Sequence, residues 1–389
     1  MKRKTFVLIH DDVLRDNVKE IIRVFPNYKY YFGVVKNNAY HHGVECVNSL
    51  IEGGINYLCV SSLEEALYVR KYNKEIPVLI LEPVSLDFAQ ECADNNFTLT
   101  VESLVYVKSL IDKGIPNLKV HISLDTGMHR LGFYDKTELE EAIRLLNNSI
   151  VELEGIYTHF ATAGVSDPYY NKQLEEFKRL TSGIDLTKIK IVHMDRSLTM
   201  VRHEKIPFVN GVRLGIIMYG FSQNMSKDSS LRGRIRHLRN ERLRFQYGIG
   251  NIVENNDLNL HVAFSLYTEV MSVRHVMEGD VVGYSTTMVH EGYILTLPVG
   301  YADGVDKGFK QVFINGKRCN IVSDCMDMIM VYSETPIEIG TSVEIIGDNI
   351  TFDNIKEYTG KNAYQLFNMI TRRIVRVHIK GDKKVEIYY

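Results

Sequence analysis

FGVVKNNAYHHG, residues 32–43, places a lysine directly after a short apolar run. The run predicts a buried strand, and Lys36 would lie at its carboxyl end, just before the chain turns. Burial disfavours the charged form of an ammonium group, so a lysine at such a position is suited to act as a Schiff-base amine. In the alternative interpretation, the long side chain simply reaches solvent past the strand end. The rest of the sequence decides between the two.

Seven further apolar runs follow Lys36, and helix-like stretches separate them. Together with 30–35, the predicted strands are 57–61, 77–81, 97–101, 119–124, 151–157, 190–194 and 212–215. Eight strands that alternate with helices over roughly 220 residues are typical of a (β/α)8 barrel. Chemistry in that fold takes place at the carboxyl ends of the strands, which is where Lys36 is expected.

The character of the sequence changes after residue 225. Residues 226–258 are polar and charged, and strand-like alternation follows at 261–270, 280–284, 293–298, 343–346 and 373–379. We therefore predict an α/β protein in which a (β/α)8 TIM-type barrel precedes a carboxyl-terminal all-β domain. The predicted boundaries are 1–225 for the barrel, 226–258 for a basic and polar connecting insertion, and 259–389 for the β domain.

Composition limits the partners and the compartment. The 46 lysines and arginines nearly balance the 48 aspartates and glutamates, so the formal charge of −2 gives no case for nucleic acid or a membrane as partner. The apolar part of the first residues is too short for a signal peptide. The five cysteines show no CxxC spacing, so we expect reduced thiols and a cytoplasmic location.

Two local features suggest other sites but do not support them. Six arginines fall within 232–244, yet no aromatic interleaving or nucleic-acid module accompanies them. A solvated insertion or part of a subunit contact is the favoured interpretation of this run. The adjacent side chains of His41 and His42 would diverge, and no carboxylate cluster accompanies them, so no metal site is predicted.

Polar motifs follow several of the predicted strands. They are LDTGMHRLGF from 124, YTHFATA from 157, VRLGIIMYG from 212, GYADG from 300 and CMDMIM from 325. Together with VVKNNAYHHG from 34, they resemble six motifs of the alanine racemase family, in family order and at family spacing. Members of that family are pyridoxal-phosphate enzymes with an amino-terminal barrel and a carboxyl-terminal β domain. Six ordered motifs favour the functional interpretation of Lys36 over the solvent-reaching one.

The resemblance implies a set of contacts for pyridoxal 5'-phosphate. Lys36 would be the Schiff-base amine, and Arg213, supported by His193, would face the ring nitrogen. The residues that match the family's phosphate contacts are Tyr40, Ser197, Gly215 and Ile216. A guanidinium stays protonated, so it keeps the ring nitrogen unprotonated and makes the cofactor a poorer electron sink. This suits a racemase, whereas decarboxylases of related architecture are known for an acidic residue at that place.

Racemisation needs a base on each face of a planar carbanion. By the resemblance, Lys36 serves one face and Tyr284, reaching in from a second subunit, serves the other. The residues that match the family's polarising neighbours and its substrate-carboxylate site are His159, Arg130, Tyr301 and Met326. Because the two bases come from different chains, the resemblance also implies a homodimer.

Several positions around this core depart from the family pattern. A lysine that is often carbamylated is replaced by Ser123, and a tyrosine that touches the phosphate and narrows the entrance is replaced by Arg372. The other departures are Gly164 for aspartate, Ser323 for arginine, Lys307 for arginine and Arg196 for asparagine. Arg372 could pair with the phosphate, and we include it among the predicted cofactor contacts for that reason. Alternatively, it could attract an acidic group of the substrate. We therefore expect a racemase for alanine or for a related, larger or charged amino acid.

Two other functions remain open at this stage. One is a pyridoxal-phosphate decarboxylase or lyase on the same scaffold, which Arg213 disfavours. The other is a non-catalytic pyridoxal-phosphate-binding protein. Single-domain carriers of that kind lack the β domain that this chain has, with Tyr284 in place.

Overall fold

The computed structural model describes residues 3–165, 167–221, 231–248, 257–284 and 289–388. The chain divides into two compact units. The barrel unit consists of Arg15–Asn37 and Val47–Leu260, and the sheet unit consists of Met1–Leu14, Asn38–Cys46 and His261–Tyr389. Among the described residues, every helix is too short or too polar to cross a membrane.

The first strand along the chain, β1 (Phe6–His10), belongs to the sheet unit. The next eight strands are parallel and close into a barrel in chain order. They are β2 (Tyr30–Val34), β3 (Tyr57–Val60), β4 (Val78–Ile80), β5 (Phe97–Val101), β6 (Lys119–Leu124), β7 (Glu152–Thr158), β8 (Ile191–Arg196) and β9 (Gly211–Leu214). Each corresponds to one of the eight predicted barrel strands, so the predicted fold class is confirmed.

These strands could be predicted from the sequence because they are buried on both faces. Every residue of β3 and of β5 is buried, as expected for parallel strands between an interior and a ring of helices. The helices up to the end of the barrel are α1 (Asp11–Val24), α2 (Lys36–Tyr40), α3 (Val47–Gly53), α4 (Leu63–Arg70), α5 (Ala89–Asp94), α6 (Leu104–Asp112), α7 (Lys136–Asn147), α8 (Tyr169–Leu180) and α9 (Ser197–Arg202). Side-chain caps fix some of their starts: Ser103 accepts the Tyr106 N–H before α6, and Asp135 accepts the Glu138 N–H before α7.

The described residues of the sheet unit form a sheet of ten strands, in the order β11-β12-β15-β14-β13-β16-β10-β1-β17-β18. Its later strands are β10 (Phe264–Glu269), β11 (Ser272–Val276), β12 (Gly292–Leu297), β13 (Gln311–Ile314), β14 (Lys317–Asp324), β15 (Ile329–Ser333), β16 (Ser342–Ile346), β17 (Val375–Lys380) and β18 (Lys383–Ile387). Two short helices, α11 (Phe352–Thr359) and α12 (Ala363–Met369), interrupt the strand sequence before β17.

The structure differs from the sequence-based expectations at two places. β1 pairs antiparallel with β10 and parallel with β17, so the first residues join the sheet and not the barrel. Residues 280–284, expected as a strand, contain only an isolated bridge at Val281, and the chain turns at residues 283–284, where Gly283 has a φ of +66°. The expected insertion contains helix α10 (Leu231–Tyr247), while its residues 226–230 and 249–256 lie outside the described part of the chain.

Candidate active site

Lys36 lies immediately beyond β2, and its backbone neighbours are tied to the next strand and helix. The Val35 N–H donates to the Cys59 carbonyl at 2.9 Å, and the Asn37 N–H donates to Glu65 Oε1 at 2.6 Å. The other oxygen of Glu65 accepts the Ser61 N–H at 2.8 Å, so one carboxylate fixes both loops. The predicted position of Lys36 at the carboxyl end of a barrel strand is thus where the structure has it.

The five residues after Lys36 adopt an unusual backbone. Their φ angles of +51° to +64° are those of a left-handed helical turn: Asn37, Asn38, Ala39, Tyr40 and His41. For non-glycine L-residues this conformation costs roughly 1–2 kcal/mol each, so the surrounding structure must hold it. In the sheet unit, His41 Nδ1 lies 2.8 Å from the Ile370 carbonyl, and the fully buried Arg376 donates from Nε to the His41 carbonyl at 3.1 Å.

Three of the four predicted phosphate contacts lie together in the barrel unit. Ser197 opens α9 directly after β8, and its hydroxyl accepts the Gly215 N–H at 2.9 Å. Gly215 follows β9, and Ile216 begins a short 3-10 turn there. The neighbouring strands β8 and β9 therefore bring these groups to one end of the barrel, at the usual phosphate position of the fold. Tyr40, the fourth, is buried in the sheet unit.

Arg213 is the most heavily bonded residue of the predicted site and is only 4% exposed. From one terminal nitrogen it donates to His193 Nδ1 at 2.6 Å and to the His193 carbonyl at 3.1 Å. The other terminal nitrogen lies 2.7 Å from the Thr158 carbonyl, 3.2 Å from the Met194 carbonyl and 3.3 Å from His159 Nδ1. Its Nε–H has no acceptor among the described residues, which leaves one donor for a ring nitrogen. The site therefore fits a pyridine cofactor.

The bonds of Arg213 fix the tautomers of a chain of buried histidines. Because a guanidinium only donates, His193 must accept at Nδ1 and carry its proton on Nε2. That N–H points at His121 Nδ1, 2.9 Å away, so His121 in turn carries its proton on Nε2, 3.3 Å from Glu154 Oε2. The chain runs through the barrel interior from Arg213 to Glu154.

Burial and hydrogen bonding set the charges of this chain. Burial, and then the charge of Arg213, hold the pKa of His193 well below its ordinary value, so its ring is neutral. Burial opposes ionisation of Glu154, but hydrogen bonds from His121, from Lys190 at 2.7 Å and from Tyr57 at 2.7 Å outweigh it. The pKa of the Glu154 carboxyl is therefore lowered. The series of hydrogen-bonded side chains that begins at Arg213 thus ends at an ionised carboxylate.

His121 and Glu154 were not recognised as site residues from the sequence. Both interrupt apolar strand runs, KVHISL and VELEGIY, with a polar side chain at a buried position. A buried polar residue inside a barrel strand is costly unless it is bonded. These two polar residues within apolar runs were the signal by which the sequence could have indicated the site.

His159 follows β7 and lies within a group of cations. Burial lowers its pKa to about 2, and the next largest effects come from four positive charges. Those charges are Arg213, Arg196, Arg130 and Lys36. His159 is therefore neutral, and this end of the barrel is electrostatically suited to anions such as a phosphate or a carboxylate.

The remaining predicted residues belong to the sheet unit, and Tyr284 is the most exposed of them. It lies on the turn after Gly283, and 89% of its surface is accessible in a single chain. A Cβ added to Gly283 would fall 2.2 Å from the Ser323 hydroxyl, so the turn rests directly on Ser323. A longer side chain at 323, such as arginine, would have to point away from this turn or displace it. The small residue at 323 is therefore part of how Tyr284 is presented.

Tyr301 and Met326, predicted at the substrate-carboxylate site, lie on two loops that touch. The Tyr301 N–H donates to the Cys325 carbonyl at 3.2 Å, and the Ala302 N–H donates to the Met326 carbonyl at 3.0 Å. Both predicted side chains are exposed, as is Arg372 of the same unit. The structure thus brings Tyr301 and Met326 together.

One other departure from the expected pattern, Gly164, has a local explanation. Gly164, at a φ of +62°, leaves no room for a side chain because its Cβ would fall 2.3 Å from Tyr170 Cβ. Tyr170 in turn stacks on His203 with 3.9 Å between ring centroids. His42 packs between Phe264 and Phe367, and within the described ranges no three His, Cys, Asp or Glu side chains cluster as a metal ion requires.

Comparison with known proteins identifies the family of this chain. The model of the alanine racemase amino-terminal domain matches residues 9–223, and that of the carboxyl-terminal domain matches residues 263–378. The chain belongs to the alanine racemase family. The alanine racemase of Streptococcus pneumoniae (strain Hungary19A-6) is 32% identical over 386 residues, which cover 96% of this chain and 98% of that protein.

Solved structures resemble this chain over nearly its full length. The alanine racemase of Bacillus anthracis with bound L-Ala-P has a TM-score of 0.83 and 32% identity, over 100% of this chain and 98% of that one. A histidine racemase from Leuconostoc mesenteroides subsp. sake has a TM-score of 0.82 and 26% identity, over 97% and 98% of the two chains. Residues 224–262, which include α10, fall between the two alanine racemase domain models.

Proposed function

We propose that this protein is an amino-acid racemase that binds pyridoxal 5'-phosphate through Lys36. The observation that carries the proposal is Arg213, a buried cation with one N–H left over and a neutral histidine behind it. A permanent cation opposite the ring nitrogen suits racemisation better than decarboxylation. When bound, the cofactor draws electron density away from the substrate α-carbon and so acidifies its C–H bond.

Each predicted site residue has a defined role in binding the cofactor. Ser197, Gly215 and Ile216 would hold the phosphate, with Tyr40 and Arg372 as contacts from the sheet unit. Arg213 would direct its Nε–H at the ring nitrogen, held in place by His193. His159, being neutral, can pack against the cofactor without adding to the positive charge of Arg213 and Arg130.

Lys36 and Tyr284 would move the substrate α-proton, one on each face. Lys36 would accept or return it from its ε-amine on one face of the α-carbon, and the Tyr284 phenol would do so on the other. The exposure of Tyr284 on a supported turn suits a residue that acts in a second copy of the chain. We therefore propose a homodimer whose β domains complete the barrels' sites, with Arg130, Tyr301 and Met326 binding the substrate carboxylate.

The substrate would be alanine or a related, larger or charged amino acid. Arg372 in place of a tyrosine, and the similarity of this chain to a solved histidine racemase, support a test beyond alanine. Each purified L-amino acid would be incubated with the protein, and its D-enantiomer measured by chiral chromatography. A strong preference for alanine above all others would contradict an altered pocket.

The decisive experiment separates racemisation from its alternatives. The purified protein should show a visible absorption band that borohydride bleaches and that Lys36→Ala lacks. In D2O, Tyr284→Phe should lose racemisation while still exchanging the α-hydrogen of one enantiomer, because one base remains. A Tyr284→Phe protein that racemises at the parent rate would contradict the two-base proposal. Release of CO2 with an amine product would favour the decarboxylase alternative.

We also propose a cytoplasmic location, in keeping with five cysteines that are all free thiols. The division of labour that we propose keeps the expected boundaries near residues 225 and 259. In it, the barrel binds the cofactor and the β domain serves the partner's site. The contribution of residues 6–10 to the sheet is added to that division.

A further inference from the structure

The turn that carries Tyr301 is built around a buried carboxylate. Asp303 is fully buried, and its Oδ2 accepts the Gly300 N–H at 3.0 Å, which closes the turn on itself. A Cβ added to Gly300 would fall 2.4 Å from the Cys325 carbonyl oxygen, so the two backbones lie in direct contact. The carboxylate of Asp303 therefore determines where this turn and the next loop meet.

The charge of Asp303 is balanced by an arginine from far along the chain. Arg3 donates from its two terminal nitrogens to the two oxygens of Asp303, at 2.7 and 2.5 Å. It also donates to the Pro298 carbonyl at 3.0 Å, and Thr5 donates to the same carbonyl at 2.7 Å. This bidentate geometry is the strong, directional form of an ion pair, and only an arginine can supply it.

A second arginine extends the pair to the loop of Met326. Arg373 Nε lies 3.7 Å from Asp303 Oδ1, and the same guanidinium donates to Asp327 at 2.6 Å. Charges therefore alternate along Arg3, Asp303, Arg373 and Asp327, and this clamp ties the 300–304 turn to the 325–327 loop. The two backbone bonds between Tyr301, Ala302 and the second loop lie inside the clamp.

We propose that Arg3, acting through Asp303, is a positioning residue of the substrate site. It holds Tyr301 against Met326 and so fixes the contact surface for the substrate carboxylate. The inference rests on the proposed function, because that function assigns Tyr301 and Met326 to substrate binding. Arg3 touches neither substrate nor cofactor in this proposal.

The expected consequence is a defect in substrate binding and not in cofactor binding. Without Arg3, Asp303 would be a buried carboxylate short of its main partner, and the turn would shift to let water reach it. Arg213 and Ser197, predicted to hold the cofactor, make hydrogen bonds within the barrel unit, so we expect the cofactor band to be retained. Displacing a contact surface by a fraction of an ångström to an ångström is enough to change substrate affinity severalfold or more.

Three variants and a control test the clamp. Arg3→Met removes the charge, Arg3→Lys keeps it without the fork, and Arg373→Met removes the outer, half-exposed link. Lys4→Met is the control, because Lys4 is the exposed neighbour of Arg3 and makes only a loose pair with Glu269 at 3.4 Å. For each protein, KM and kcat would be measured in both directions on the best amino acid, along with the cofactor absorption band.

Arg3→Met should raise KM about tenfold with kcat within about twofold and the cofactor band unchanged. Arg3→Lys should recover part of the KM effect, Arg373→Met should show a smaller rise, and Lys4→Met should match the parent. An unchanged KM in folded Arg3→Met would overturn the proposal. So would a loss of kcat and cofactor with KM intact, since that is the signature of general destabilisation.

Hydrogen exchange tests the clamp without using activity. Amide exchange of the peptide that holds Tyr301 and Ala302 should accelerate at least severalfold in Arg3→Met and not in Lys4→Met, because those N–H groups would lose their fixed acceptors. If the parent protein racemised no amino acid, the proposed function would fail while exchange still decided the clamp. Unchanged protection in both Arg3→Met and Arg373→Met would overturn it.

Discussion

Glu154 offers a sharp test of how the barrel interior is held together. It is 2% exposed, and its two oxygens receive hydrogen bonds from Lys190, Tyr57 and His121. Glu154→Gln keeps the shape of the side chain but removes its charge and places an amide NH2 among donors. We expect it to destabilise the barrel and to leave His121 without a charged acceptor.

The size of the effect follows from these contacts. A hydrogen bond to a charged group contributes roughly 1.5–3 kcal/mol, and removing one partner of a buried pair costs roughly 3–5 kcal/mol. The Lys190 side chain is 51% exposed, so in the variant its ammonium group can be hydrated by water. The expected loss of stability therefore lies at the lower end of this range. We therefore expect a loss of about 3 kcal/mol. For a barrel of this size that corresponds to a Tm lower by roughly 6–12 °C.

The effect should depend on pH in a definite direction. The pKa of Glu154 in the folded protein lies below its ordinary value of 4.5, so the unfolded chain takes up the proton first as the pH falls. The stabilisation by Glu154 is therefore complete well above pH 4.5 and declines below it, until it is lost beneath the folded pKa. At pH 4 the difference between parent and variant should be smaller by about 0.8 kcal/mol.

Thermal unfolding followed by circular dichroism at pH 7 and pH 4 would measure this difference. Glu141→Gln is the matched control, because Glu141 pairs with Arg144 on the exposed surface of α7 and should leave Tm unchanged. A Glu154→Gln protein with the parent Tm at pH 7 would refute the reasoning. A destabilisation that grew as the pH fell would refute the assigned direction of the pKa shift.

Two further predictions concern departures from the family pattern. Gly164→Asp should lower stability by roughly 2 kcal/mol, because φ is positive and the new Cβ meets Tyr170; an unchanged Tm would contradict this packing. Ser323→Arg should reduce racemisation at least about tenfold with the cofactor band retained, because it displaces the Gly283 turn that carries Tyr284. A rate within twofold of the parent would show that the turn tolerates the larger residue.

The barrel was accessible from sequence because its strands are local signals. Parallel strands buried on both faces appear as continuous apolar runs, as in β3 and β5, and their alternation with helices indicates the topology. Lys36 and Arg213 could be placed at strand ends for the same reason. Their motifs then supplied the family to which the chain belongs.

Contacts between distant segments could not be predicted in this way. Phe6–His10 has the pattern of a half-buried strand, but its neighbours β10 and β17 lie more than 250 residues further on, so no local pattern assigns it to their sheet. The ion pair of Arg3 and Asp303 could not be predicted for the same reason, because the two residues are 300 positions apart. Residues 280–284 alternate like a strand, yet the chain turns at Gly283, where the backbone has a positive φ and lies close to the distant Ser323.

Sequence by itself determined the eight-stranded barrel, the family and the identity of the chemical groups, because each depends on residue type and short-range order. The tertiary structure decided how those groups are held. Ala39 and Tyr40 have no intrinsic preference for a left-handed backbone, and the adjoining His41 is fixed there by bonds to Ile370 and Arg376. The proton positions on His193 and His121 likewise follow from Arg213 and Glu154, which only folding brings to opposite ends of one hydrogen-bonded chain.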